Sequence, residues 1–319
     1  MYLPEFTITN PILKNISGIE YARSIIENTR ILPNWEKQLE KDTQIRCALN
    51  SLKIIGQDAS VESIKKFIDK LNTSPSKEAG SILALIKAVI ANETFPENFE
   101  FDDIKNIGGA FRSKRNTLGI NPEEILAEIE SMIDWFNTLE AKETHPVILS
   151  GILKARIENT VPFENMNSIA SNFLALLILK KNGYSFRNYI CLEEYYTQNP
   201  GKYDQAIKSV WENRGDLTVW LEYFTDGLAH EISIIKEKII ILAKDTKLAK
   251  VSGRLYLNQR QEKIVEHLQD YGIMQNNEFS KMFPGVSEDS ILRDLKTLMD
   301  KKIIVKSGKT KSSRYELRD

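Results

Sequence analysis

Up to about residue 245 the apolar side chains recur at three- and four-residue steps, and almost nothing alternates. That period belongs to amphipathic helices, so most of the chain must bury its apolar stripes by packing helix on helix. "SGIEYARSIIENTRIL" sets Ile19, Ala22, Ile25 and Ile26 on one face, with Ser17 as its N-cap. Further helices are predicted over 35–55, 60–71 with Ser60 as cap, 76–92, 121–138 with Pro122 in its first turn, 145–160, 167–182, 200–213 and 216–244. The strand-like exception is "GGAFRSKRNTLGI" (108–120), where Gly108 and Gly109 before a Thr/Leu/Ile run predict a hairpin.

Near residue 250 the texture changes. "VSGRLYLNQRQ" has little periodicity, and a domain boundary is placed there. The chain thus divides into an N-terminal helical region (1–110), a core (111–250) and a C-terminal domain (251–319). No low-complexity tract and no repeat of 20–50 residues is present.

The last domain reads as helices over 259–271, 276–283 and 287–300, with the turn "PGVS" before the third and two short strands after it. Ile264, Leu268, Phe279, Met282, Ile291, Leu295 and Leu298 are spaced to share one small core. Gly285 and Ser287 make a tight turn with Ser287 as N-cap. This is the pattern of a winged helix-turn-helix, whose third helix enters the major groove of double-stranded DNA. Ile303–Val305 and Tyr315–Leu317 form the wing, with its tip at Gly308. Lys301, Lys302, Lys306, Lys309, Lys311 and Arg314 carry its charge with no acid between 301 and 314, a run suited to following phosphates. Glu288 and Asp289 suit the start of the third helix but repel a DNA backbone. Arg293 and Lys296 must therefore supply that helix's contacts.

Composition narrows the class. The 319 residues are 42% hydrophobic and 27% charged with a formal net charge of −1, so no polybasic or acidic tail is the main device. Cys47 and Cys191 alone suggest free, buried thiols in a reducing compartment. "MYLPEFTITNPILKN" has no basic segment leading into an apolar run, and "NFLALLIL" and "EKIIILA" are too short to span a bilayer. A cytoplasmic protein without membrane contact is expected. No His/Cys/Asp cluster has metal-ligand spacing, and no phosphate-binding glycine motif of the P-loop or dinucleotide type occurs.

The segment "HPVILSGILKARIENTVPFENMNSIASNFLALLILKKNGY" continues as "YICLEEYYTQNPGKYDQAIKSVWENRGDLTVWLEYFTDGLA". Together with "GGAFRSKRNTLGI" upstream, it resembles the Fic (Fido) family over roughly residues 4–245, and a winged helix is a frequent companion there. The resemblance implies a mainly α Fic-type core with a small β-hairpin flap for docking targets, here with Arg112, Lys114 and Arg115. Active members carry His-Pro-Phe-x-Asp/Glu-Gly-Asn-Gly-Arg-x-x-Arg. The His deprotonates a target hydroxyl, the acid holds Mg²⁺, the glycines admit nucleotide phosphates to backbone N–H groups, and the arginines neutralise them.

This sequence keeps Pro162, Phe163 and Asn167 of that signature. The general-base position is Val161 and the metal-acid position Asn165. The glycines are Met166 and Ser168, and the arginines are Ile169 and Asn172. Loss of a general base alone removes about 10²–10⁴-fold in rate. Many relatives also carry an inhibitory helix, Ser/Thr-x-x-x-Glu-Gly/Asn, whose Glu pairs with the first arginine. Here it aligns as Ser51, Ile55 and Gly56. Both halves of that ion pair are isoleucine, so Ile55 and Ile169 are expected to pack together and plug the pocket. Asn167 remains as a helix cap or weak nucleotide contact, and His145 reads as a capping or structural histidine. The expectation is a DNA-binding, transcription-regulatory protein on a catalytically inactive core, without cofactor, whose partners are DNA, a protein at the flap or a second copy. The alternative is AMP transfer from ATP with Mg²⁺ by rearranged groups.

Overall fold

The computed structural model describes residues 2–68, 79–84, 86, 100, 104, 121–163, 166–251, 257–308 and 313–318, with backbone alone at 245–251, 266, 269, 270, 277 and 280. The predicted hairpin at 108–120, with Arg112, Lys114 and Arg115, lies outside these residues, as do Asn165, Lys309 and Lys311. The chain divides into two compact units, Met1–Asn28 with Lys41–Lys236 and Thr29–Glu40 with Glu237–Asp319. Among the described residues, no helix is long and apolar enough to cross a membrane.

Helix α1 spans Asn10–Asn28 and starts well before Ser17. Thr9 opens it, its hydroxyl and carbonyl receiving the N–H groups of Ile12 and Leu13. Ser17 lies inside the helix and donates its hydroxyl back to the Leu13 carbonyl at 2.8 Å. A serine can spend its hydroxyl this way mid-helix, so its presence did not mark a start. Helix α2 spans Pro33–Ile54, and α3 spans Val61–Ile68. Ser60 caps α3 as predicted, accepting from the Ser63 N–H at 3.1 Å. Residues 79–84 are helical. Helices α4 (Pro122–Phe136) and α5 (Leu139–Glu143) follow.

The centre of the first unit is the pair α6 (Pro146–Thr160) and α7 (Asn167–Lys181), the most extensive helix pair of the described residues. Both are buried on nearly every face, which is why they are apolar almost all round rather than striped. Ser150 ties them, donating to the Ala175 carbonyl at 2.8 Å. Helices α8 (Leu192–Gln198), α9 (Pro200–Glu212) and the first part of α10 (Thr218–Val251) complete the set. Gly151 lets α10 approach α6. A Cβ there would stand 2.7 Å from Leu221 and 2.9 Å from Phe224, and Trp220 donates its indole N–H to the Gly151 carbonyl.

The second unit holds α11 (Gln259–Tyr271), α12 (Phe279–Met282) after a 3₁₀ turn, and α13 (Glu288–Asp300). Strands β1 (Met274–Gln275), β2 (Ile304–Ser307) and β3 (Arg314–Leu317) pair antiparallel in the order β1-β3-β2, with Ile304 opposite Leu317. The predicted core residues Ile264, Leu268, Phe279, Ile291, Leu295 and Leu298 are buried together, while Met282 is only partly covered. Gly285 turns with φ +81° before α13. Ser287 stands at the N-cap, but its hydroxyl pairs with Ser290 and not with the helix backbone. Asp294 fastens α13 to the start of α11. Its buried carboxylate accepts from Asn258 (2.8 Å), Gln261 (3.0 Å) and Arg260 (2.7 Å).

Candidate functional site

Among the described residues, the segment between α6 and α7 is shaped by two in the left-handed region. His145 begins α6, its Nδ1 accepting from the Val147 N–H at 3.3 Å with Pro146 in the first turn. The helix ends at Val161, with φ 50° and ψ 53°. Met166, just before α7, has φ 59° and ψ 27°. Left-handed backbone suits glycine and costs about 1–2 kcal/mol for other residues. A β-branched residue there is a genuine outlier. The loop therefore keeps a backbone that favours glycine at Met166 while carrying a long side chain. Met166→Gly is expected to raise stability by about 1 kcal/mol, read as a higher midpoint in urea. An unchanged or lower midpoint would mean that the thioether's packing outweighs the backbone strain.

Asn167 does not cap α7. The N-cap is Met166, which offers no side-chain bond. Asn167 instead staples the loop: its Oδ1 accepts from the Phe163 N–H at 3.4 Å and its Nδ2 donates to the Ile157 carbonyl at 3.0 Å. Phe163 is completely buried beneath it. The retained phenylalanine and asparagine thus act as packing and staple.

Ser168, in the second glycine position, donates to Glu158 Oε2 at 2.9 Å. Ile169, in the first arginine position, is fully buried in an apolar cluster with Ile45, Leu52, Ile82 and Phe173, among others. Ile55 and Met166 pack against that same cluster. Ser51 is fully buried, and Gly56 closes α2 with φ +73°. Asn172, in the second arginine position, is fully buried with neither side-chain polar atom hydrogen-bonded.

Beneath the loop lies a charged cluster that the sequence reading missed. Lys154, fully buried on α6, donates to Glu158 (2.9 Å), Ser171 (3.0 Å) and Tyr203 (3.0 Å). Its ammonium sits 5.1 and 5.2 Å from the ring centres of Tyr196 and Tyr203. Ser171 and Tyr203 in turn donate to Glu158 Oε1 at 2.6 and 2.7 Å. Burial pushes the Glu158 carboxyl pKa up, but the Lys154 ammonium and the two hydroxyls pull it down further, so it ends below the usual range. Burial lowers the Lys154 pKa, and Glu158 offsets part of that. The readable signal was a Lys and a Glu four residues apart in a largely buried helix.

In the second unit, Arg293 and Lys296 are exposed one turn apart on α13. Lys306 and Arg314 are exposed on the hairpin but do not share a face. Lys306 lies opposite Tyr315, its ammonium 5.8 Å from that ring, while Arg314 lies opposite Ser307. Glu316 follows Arg314 two residues on and is also exposed.

No protein-family model matches the sequence, and no curated relative matches it. Solved structures do. A Fic family protein from Desulfovibrio desulfuricans is 17% identical with a TM-score of 0.60, covering 99% of this chain and 98% of that one. A Fic domain containing signaling protein from Bacteroides thetaiotaomicron is 18% identical with a TM-score of 0.58, covering 74% of this chain and 98% of that one. Fic-1 from C. elegans is 16% identical with a TM-score of 0.58, covering 70% of each chain. With the helical core and the interrupted pair α6–α7 in place, these similarities make the chain a Fic-fold protein.

Proposed function

We propose that the chain is a DNA-binding, transcription-regulatory protein whose Fic-fold core no longer transfers nucleotides. One observation carries the first half. The second unit has the helix and strand order of a winged helix, with Arg293 and Lys296 exposed on its third helix and a basic hairpin behind it. Phosphate contacts of this kind supply most non-specific duplex affinity and make it salt-dependent. Labelled duplex is expected to bind with an affinity that falls steeply as salt rises. Lys309→Glu with Arg314→Glu is expected to weaken binding and flatten the slope of log affinity against log salt by about 2. Fluorescence anisotropy at graded salt measures both. Duplex binding that is absent, or indifferent to the two charge reversals, contradicts the reading and leaves a protein partner for the winged unit.

The second half rests on the motif positions. An Mg²⁺–ATP seat needs a proton acceptor, room for phosphates and cationic side chains. The Val161 side chain has no acceptor atom, and Met166 packs its side chain where a glycine would leave space. Ile169 and Asn172 are sealed in the interior, and both polar ends of Asn167 are taken by the protein backbone. These residues do not fit the nucleotide. The core is left to recognition, of a protein at the flap or of a second copy of the chain.

A further inference from the structure

Helix α2 and the start of α8 bring three metal-ligating side chains together from distant parts of the sequence. The sulfurs of Cys47 and Cys191 and a carboxylate oxygen of Glu193 all lie within 4.8 Å of one another. All three side chains are buried, Cys191 and Glu193 completely. Both thiols are free. Neither oxygen of Glu193 has a hydrogen-bond partner, an expensive state for a carboxyl sealed from water. The two thiols face it, and the Lys154 ammonium and the Tyr196 phenol act on it electrostatically.

We propose that Cys47, Cys191 and Glu193 bind a divalent, thiophilic cation of the zinc class. Such an ion takes thiolate at about 2.3 Å and carboxylate at about 2.0–2.2 Å in a tetrahedral array. Ligand atoms around it stand just under 4 Å apart, so the cluster needs to contract by only about an ångström. Two thiolates and a carboxylate around a dication leave one negative charge. The Arg46 guanidinium, next to Cys47 in the chain, offsets part of it while also serving Glu194 and Glu231. Arg46 is held in place by Glu194, by Glu231 at 3.5 Å and by the Tyr189 carbonyl. A cavity of about 50 Å³ opens beside Cys47, lined by Thr43, Gln44 and Ile190 among others. Binding displaces the thiol protons, so it strengthens as pH rises.

The sequence hides this site because Cys47 lies 144 positions before Cys191. Soft ligands with one carboxylate select zinc or cobalt over magnesium or calcium. The test uses the full chain, purified under reducing conditions with zinc in the medium and desalted. One equivalent of zinc per chain is expected, together with a sulfur-to-cobalt charge-transfer band on cobalt substitution and a thermal midpoint that falls on chelation. Glu193→Gln is expected to weaken cobalt binding by more than the roughly 10–100-fold typical of losing an outer-shell partner. Cys47→Ser and Cys191→Ser are expected to abolish the band. Should these variants fail to fold, the unmodified chain decides alone through its metal content and cobalt spectrum. Metal-free protein with no cobalt band overturns the proposal, and so does a mass two hydrogens lower with Cys47 and Cys191 recovered as one linked peptide.

Discussion

Lys154→Met is expected to lower the stability of the protein by about 3–5 kcal/mol, the usual cost of stranding one half of a buried ion pair. Lys154 is fully buried and Glu158 nearly so, with 8% of its side chain exposed. Removing the ammonium leaves Ser168, Ser171 and Tyr203 to hold the carboxylate alone. The pH dependence tells this loss from a simple packing defect. In the native protein the depressed Glu158 pKa contributes stability above the ordinary carboxylate range, and that contribution is lost as pH falls through the folded value. Without Lys154 the burial penalty prevails and the carboxyl pKa rises. The native state then holds its proton where the unfolded chain has released it, so ionisation opposes folding. The stability deficit of Lys154→Met should therefore be larger at about pH 8 than at about pH 4. Urea unfolding at the two pH values measures it. A deficit that does not change with pH would assign the loss to the packing of the lysine stem.

Ile169→Arg is expected to cost about 3 kcal/mol or more, because it returns a guanidinium to a fully buried apolar cluster with no acid to meet it. Adding Ile55→Glu should recover part of that loss, with a coupling of about 1–3 kcal/mol. Ile55 packs against the cluster that encloses Ile169, so a carboxylate on α2 and a guanidinium on α7 would share one interior. Thermal unfolding of the two single variants and the double variant measures the coupling. Tolerance of Ile169→Arg within about 0.5 kcal/mol would place the position at an open surface. A severe loss without coupling would mean that residue 55 does not face residue 169.

Much of the fold was legible because the long helices carry their period and punctuation in the chain. Pro122, Ser60 and His145 marked starts that the structure bears out. Ser17 misled, since nothing local separates a serine that caps from one that bonds back within a helix. Helix α8, at seven residues, is too short for a period to show, and β1 has only two residues. At the site, the identity of each motif position was readable, but not its use. Asn167 as a staple depends on the Phe163 N–H and the Ile157 carbonyl meeting it across a turn. The Lys154 cluster needs Tyr203 from α9, 49 positions away. Partners recruited by tertiary packing leave no mark at the spacing of a motif.

The claim that the loop between α6 and α7 survives as architecture, stripped of its chemistry, meets its most direct test in titration calorimetry. The full chain is titrated with ATP in the presence of Mg²⁺, and a parallel incubation uses ATP labelled in the adenylate. The account predicts no heat of binding and no label transferred to the protein or to proteins of a lysate. Saturable ATP binding that is lost when Asn167 is replaced by alanine, or transfer of labelled AMP to a protein hydroxyl, would contradict it.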